Sequence, residues 1–166
     1  MREQVKDKDR LLHIVEAIDH IFQITNNSDL DTLSDSKIQY YGIIKCIEII
    51  GEAAYNLTHA FRDNHRETPW EKIIRMRHVL VHDYYKIKVD EVRYVIEDNL
   101  NPLRDQIARY ISETNWDEWE NNDVVIKESA VHKNLIQTAE RMKKRGYDTE
   151  EICKITGLNR DEIERL

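Results

Sequence analysis

Apolar residues recur at helical spacing through most of this chain. Leu11, Leu12, Ile14, Val15, Ile18, Ile21, Phe22 and Ile24 predict a first helix over residues 8–25, with Asp7 or Asp9 as its N-cap and Asn26-Asn27-Ser28 closing it. A second, longer helix is predicted from Asp35 to Arg62, carrying Ile38, Tyr41, Ile44, Ile47, Ile50, Ala54, Leu57 and Phe61. Its Gly51 and paired alanines let a neighbouring helix come close. Thr68-Pro69 reads as the N-cap and first helical residue of a third helix that reaches His82, and Asp83-Tyr84-Tyr85-Lys86 reads as a turn. The fourth helix runs from Val89 to Ser112 with Val92, Val95, Ile96, Leu100, Leu103, Ile107 and Ile111 on one face. Pro102 should kink it, because proline lacks a backbone donor and clashes with the preceding turn. Four such stripes joined by short connections predict an all-α, up-and-down four-helix bundle over residues 1–114.

Beyond it the pattern changes. Trp116, Trp119 and a run of acids mark residues 115–125 as a linker, and a helical extension follows over 126–166. Its first helix ends at Gly146; Asp148–Ile155, the turn Thr156-Gly157-Leu158 and Asn159–Leu166 then outline a small helix-turn-helix. Two readings of that outline stand open. It reads operator DNA or a partner, or it is a hairpin packed on the bundle or on a second subunit. The last forty residues hold 9 Lys/Arg against 8 Asp/Glu, so they lack the basic stripe of a DNA reader.

Composition narrows the class further. Four glycines and two prolines in 166 residues leave little room for hairpins, and 40% hydrophobic residues suffice for one core with an appendage. No apolar run approaches the roughly 18 residues that span a bilayer, and Lys, Asp and Arg interrupt the first fifteen positions, so a soluble, cytoplasmic protein without membrane contact is expected. Cys46 and Cys153 are isolated, which fits a reducing compartment and gives no metal-spaced cluster. Asn56-Leu57-Thr58 matches a glycosylation acceptor, but without a secretion signal it marks only helix surface. The net charge of −7, and the −8 carried by residues before Lys127, argue against broad binding of nucleic acid. Any such contact must be local.

The stretch from Arg75 to Tyr85 could supply it, with two arginines, two histidines and two tyrosines among apolar neighbours. On a helical wheel Trp70, Ile73, Met76, Leu80 and Val81 define a buried arc, and Arg77 falls inside it. A guanidinium never loses its charge, so there it needs a carboxylate, a water-lined cleft or an anionic ligand. Glu48 and Glu52 on the second helix are the candidate carboxylates. His82 lies about 140° round from Arg77 on the wheel, so the two meet only if the helix ends near His82 or a second copy supplies one of them. An always-charged Arg and a His that titrates near neutral pH suit phosphate chemistry. The ordinary alternative for His82 is an imidazole at a helix C-terminus, favoured by the dipole. His78 and His82 stand one turn apart as for zinc, yet no third or fourth ligand accompanies them. Tyr84 and Tyr85 read as turn residues, with the Tyr84 phenol beside the cleft.

Arg77, four residues, His82, then Asp83 and Tyr84 resemble the Arg-x4-His-x-Tyr signature of HepT-like toxins in the HEPN superfamily. Glu48-Ile-Ile-Gly-Glu-Ala-Ala54, Pro69-Trp70 and Leu100-Asn-Pro-Leu103 resemble other landmarks of that branch, and together the likeness spans residues 8–112. The resemblance implies a four-helix HEPN bundle that forms a homodimer with both motifs at one cleft. It implies a toxin of a toxin-antitoxin system, a metal-independent endoribonuclease that uses no cofactor and leaves a 2′,3′-cyclic phosphate. By that likeness His82 is general base or acid and Arg77 stabilises phosphoryl charge, with His78, Arg75 and Glu52 in support. Its partner would be a nucleotidyltransferase antitoxin that attaches AMP to Tyr84. His78 departs from the asparagine common after the motif Arg, and residues 113–166 are additional to the common bundle. Two other readings remain: a non-catalytic HEPN module binding a nucleotide or protein, and a DNA-binding autorepressor using Asp148–Leu166.

Overall fold

A computed structural model describes residues 6–26, 36–82, 88–164 and 166. All elements among the described residues are helical, so the fold is all-α. The chain divides into two compact units, Lys6–Trp116 and Asp117–Leu166.

In the first unit, α1 (Asp7–Asn26) buries Leu11, Ile14, Ala17, Ile18 and Ile21, the three-and-four spacing of a single helical face. It packs on α2 (Lys37–Tyr55) and on α6 (Leu100–Glu113), and Arg104 of α6 is held by Asp19 of α1 at 2.6 Å. Asp7 does not cap α1 as the sequence suggests. It lies buried in the first turn, where Oδ1 accepts from the Thr58 backbone N–H at 2.8 Å and Oδ2 accepts from the Thr58 hydroxyl at 2.7 Å.

That contact explains a second correction. The long helix expected from Asp35 to Arg62 is broken after Tyr55, and α3 (His59–Asn64) starts anew. Thr58 caps α3, its hydroxyl oxygen accepting from Phe61 N–H at 3.2 Å while its proton goes to Asp7. Leu57 and Phe61 are both buried, so the apolar period runs straight through the break and hides it. The stripe assigned to α2 also needs correction at its start: Ile38 is 87% exposed and Tyr41 55% exposed, while the buried face is Ile43, Ile44, Ile47, Ile50, Gly51, Ala53 and Ala54.

The third predicted helix, α4 (Trp70–His82), packs against α2. Thr68 is not its N-cap. Its buried hydroxyl lies 2.7 Å from the Tyr110 phenol of α6, which in turn donates to Glu67 at 2.8 Å. The Trp70 indole donates to the His65 carbonyl at 2.8 Å, and Phe61 stacks on the His65 ring at 4.2 Å. The phenol's hydrogen bond holds the Glu67 carboxyl below the ordinary carboxylate range, and burial leads the causes that push the Tyr110 phenol up. This aromatic and polar cluster seats the first turn of α4.

The last predicted helix is α5 (Val89–Tyr94), a π-helical turn over Val95–Asn99, and α6. Pro102 cannot donate to the carbonyl of residue 98, and a widened, π-helical turn lies immediately upstream of the helix that carries it. Val92, Ile96, Leu100 and Ile107 are buried as the pattern predicts, joined by Tyr110.

Residues 116–120, expected within a linker, form a short helix, α7 (Trp116–Glu120). The second unit is built on α8 (Asp123–Lys144), α9 (Thr149–Thr156) and α10 (Arg160–Glu164). Gly146 and Gly157 take left-handed backbone at φ 84° and 72°, where other residues are strained, and they end α8 and α9. Asp148 caps α9 through Glu151 N–H, while Asn159 and Glu162 exchange side-chain and backbone bonds as a capping box for α10. Ala139, Ile152, Leu158 and Ile163 close a small core of their own. No helix among the described residues is long and apolar enough to cross a membrane.

Replacing Asp7 by Ala removes both acceptors of Thr58, and hydrogen bonds to an ionised group contribute about 1.5–3 kcal/mol. Asp7→Ala should therefore lower the urea midpoint of the first unit with an unchanged m-value; an unchanged midpoint would show that the break between α2 and α3 holds without it.

Candidate active site

Helices α2 and α4 meet where α2 has no side chain. A Cβ placed on Gly51 would run into Cβ of Arg77, and would lie 3.1 Å from the Ile73 carbonyl oxygen and 3.3 Å from Cα of Arg77. Glycine is required here for space, since its backbone is helical. The close approach carries Arg77 into the bundle, where it is 4% exposed. One residue beyond Gly51, Glu52 Oε2 meets Arg77 Nε at 2.6 Å, from a side chain still about a third open to solvent at 32%. The two candidate carboxylates are thus resolved by geometry: Glu48 turns to Lys45 at 2.7 Å.

The other oxygen of Glu52 has a partner that the sequence reading passed over. Asn56 Nδ2 donates to Glu52 Oε1 at 2.8 Å and to the Glu52 carbonyl at 2.8 Å. A Glu and an Asn four residues apart on a helix are neighbours on one face, so the spacing was the available signal. Glu52 and Arg77 are brought together; Arg75 is exposed on α4. His78 and His82 stand on α4, and their side chains lie outside the described residues, as does Tyr84 altogether. Among the described residues no group of three or more His, Cys, Asp and Glu could hold a metal ion.

The physical character of the site follows. Removing a carboxylate and a guanidinium from water costs several kcal/mol per ion, roughly offset by their attraction, so such a pair adds little to stability compared with apolar residues. The guanidinium is a charge that cannot be titrated away. A groove of about 470 Å³ elsewhere, lined by His20, Gln23, Ile24, Gln39, Gly42 and Cys46, offers no such charge, and burial pushes the Cys46 thiol up, away from the reactive thiolate.

Comparison with known proteins places this geometry. The family described as Ribonuclease HepT-like matches residues 14–111, a span that holds Glu52, Arg77 and His82. The chain belongs to that family. A Thermococcus cleftensis protein named "Probable ribonuclease HepT" is 34% identical to this HepT-like chain over 103 residues, covering 61% of the chain and 93% of the relative. A Methanocaldococcus jannaschii protein named "Gamma-glutamylcyclotransferase and putative RNase" is 32% identical over 113 residues, 68% of the chain but only 50% of that longer relative. A Caldanaerobacter subterraneus protein named "Putative RNase" is 25% identical over 101 residues, 61% of the chain and 90% of the relative. No solved structure matches the chain.

The two glycines of α2 give this HepT-like packing a sharp test. Gly→Ala in an open helix stabilises by about 1 kcal/mol. Gly42→Ala should do so, because its Cβ would meet Ile24 Cδ1 at an ordinary 3.5 Å. Gly51→Ala should instead destabilise by about 1–3 kcal/mol through overpacking. Equal effects in thermal or urea unfolding would mean that α2 and α4 are not in close contact at Gly51.

Proposed function

We propose that this chain is a metal-independent endoribonuclease, the toxin of a toxin-antitoxin pair, acting as a homodimer. The observation that carries the proposal is a permanently charged guanidinium, 4% exposed and aimed by Glu52, five residues before His82 on one helix. Membership of the HepT-like family and relatives named as ribonucleases support RNA as the substrate.

In the proposed reaction the ribose 2′-oxygen attacks the adjacent phosphorus as the bond from phosphorus to the 5′-oxygen breaks. The attacking hydroxyl gives up its proton to a base and the leaving oxygen takes one from an acid; His82 serves in one of these roles. Arg77 stabilises the charge that gathers on the non-bridging oxygens, and Glu52 holds it in place. The products are a 2′,3′-cyclic phosphate and a 5′-hydroxyl. His78 and Arg75 support RNA binding from the same helix.

A second copy of the chain completes the cleft. Ile38, Tyr41 and Ile49 are 87%, 55% and 40% exposed, and on a wheel of about 100° per residue they share one face of α2 with Glu52. Lys45, exposed and paired with Glu48, stands among them, and such a mixed apolar and polar face leading to the site is suited to a two-fold seam. The partner proposed to restrain the enzyme is a nucleotidyltransferase antitoxin that joins AMP to Tyr84 through its phenol oxygen, releasing pyrophosphate from ATP. For the second unit packing is preferred over DNA binding, because the last forty residues hold 9 Lys/Arg against 8 Asp/Glu and lack the basic stripe of a groove reader.

Arg77→Ala and His82→Ala should each cut RNA cleavage by roughly 100-fold or more while leaving the fold and the dimer intact. Cleavage should survive a chelator. Persistent cleavage by the double variant would remove both residues from the chemistry, and loss on chelation would restore the His78 and His82 zinc reading. For the control step, incubation with the antitoxin and ATP should raise the mass of the chain by whole AMP units and Tyr84→Phe should abolish the gain; an equal gain in Tyr84→Phe places the modification elsewhere.

A further inference from the structure

We propose that Asn56 is a positioning residue of the Arg77 site: it fixes the Glu52 carboxylate from one side, and thereby the rotation of the guanidinium on the other. The inference rests on the reading of Arg77 given above and extends it to a residue outside the motif. Asn56 Nδ2 donates to Glu52 Oε1 at 2.8 Å, and Oε2 of the same carboxylate meets Arg77 Nε at 2.6 Å. A glutamate side chain turns about three bonds, and a contact at one oxygen leaves its plane able to swing. A second contact at the other oxygen sets that plane. Because a guanidinium is rigid and flat, the place of its Nε against that carboxylate also bears on the direction of its two terminal nitrogens, the edge that would grip a phosphate in a fork.

Asn56 is well placed for this work. It ends α2 with φ −82° and ψ 0°, and its Nδ2 also donates to the Glu52 backbone carbonyl at 2.8 Å, so the carboxamide is anchored to the chain that bears the carboxylate. Two residues on, Thr58 is tied to Asp7 at the start of α1. The first two members of the relay Asn56, Glu52, Arg77 are therefore anchored on α2, close to its tie to α1, and the relay reaches α4 only at Arg77. Other residue types would not serve equally. Aspartate would set a second negative charge against Oε1, and glycine carries no side-chain donor.

The test reads the guanidinium directly. In proton–nitrogen NMR spectra of the full chain, the Arg77 Nε–H, identified by its loss in Arg77→Lys, should exchange with water about tenfold more slowly than exposed arginines. In Asn56→Gly its exchange should speed up about tenfold with an unchanged melting temperature, and kcat for RNA cleavage should fall about tenfold while KM stays within about twofold. Asn56→Asp, which keeps the size of the side chain, should show the same loss. Three results would overturn the proposal: a wild-type signal that exchanges like exposed arginines, variants with unchanged exchange and full kcat, or a change confined to KM. If Arg77→Ala cleaves RNA as well as wild type, the ribonuclease reading falls, and the exchange rates still decide whether Asn56 holds the guanidinium.

Discussion

Everything distinctive about this bundle depends on two helices touching at backbone distance. Gly51 lets α4 approach α2 until Cβ of residue 77 lies against the place where a side chain on residue 51 would otherwise stand. Once the helices are that close, the side chain of residue 77 has nowhere to go but along the seam, and a guanidinium confined there must meet a carboxylate. Glu52, next in the chain after Gly51, is supplied by the same turn of α2 that makes the approach possible. Space and charge are therefore coupled in two adjacent residues. A larger residue at 51 would move the acceptor away from the donor as it moved the helices apart.

A contact at the middle of α4 fixes its distance from α2, and a different set of contacts fixes where along α2 it sits. The N-terminal end of α4 is held by Thr68 on Tyr110, by Tyr110 on Glu67 and by the Trp70 indole on the His65 carbonyl. Phe61 packs on His65, Trp70, Tyr110 and Trp116, so α3, α4 and α6 share one aromatic cluster. A helix pinned at its first turn and pressed flat at Gly51 has little freedom to slide or rotate. On the proposed role of Arg77 this bears on rate, because misplacing a charge by about 1 Å at a reacting centre can cost two orders of magnitude. The lowered pKa of Glu67 points the same way: its contribution is present above the ordinary carboxylate range and fades as pH falls through its lowered value, so the seat is intact near neutrality.

The sequence made the helices legible because their apolar residues recur with a single period, and it made Arg77 conspicuous because a fixed charge interrupts that period on its buried side. It located the acid only to within one turn, since Glu48 and Glu52 share a face and nothing in the spacing tells which one turns toward Arg77 and which toward Lys45. It missed the break at Asn56-Leu57-Thr58 for a related reason. Leu57 and Phe61 keep the hydrophobic rhythm, while the interruption is caused by a hydrogen bond from Thr58 to Asp7, fifty-one residues away in the chain. Long-range polar contacts of this kind leave no periodic trace. Asn56 was overlooked with the break, because it was read as surface of a continuous helix. Likewise Pro102 announced a disturbance, but nothing in the spacing told that a π-helical turn would lie upstream of it.

The second unit shows by contrast what the first unit spends its residues on. Among the described residues of 117–166 several special positions end or begin a helix: two glycines at positive φ, Asp148 and Asn122 as caps, a capping box at Asn159 and Glu162. Its few buried polar groups are accounted for locally, as where Thr156 donates to the Ile152 carbonyl. In the first unit the corresponding features face inward: a glycine that makes room, a buried arginine, a carboxylate with its oxygens divided between two helical turns. The family match ends at residue 111, short of the second unit, and a relative of which 93% is covered aligns over 103 residues. Chemistry shared with the family must therefore be carried by the unit whose irregular residues point at one another, while the regular one is built as most small helical units are, from caps, turns and a compact apolar centre.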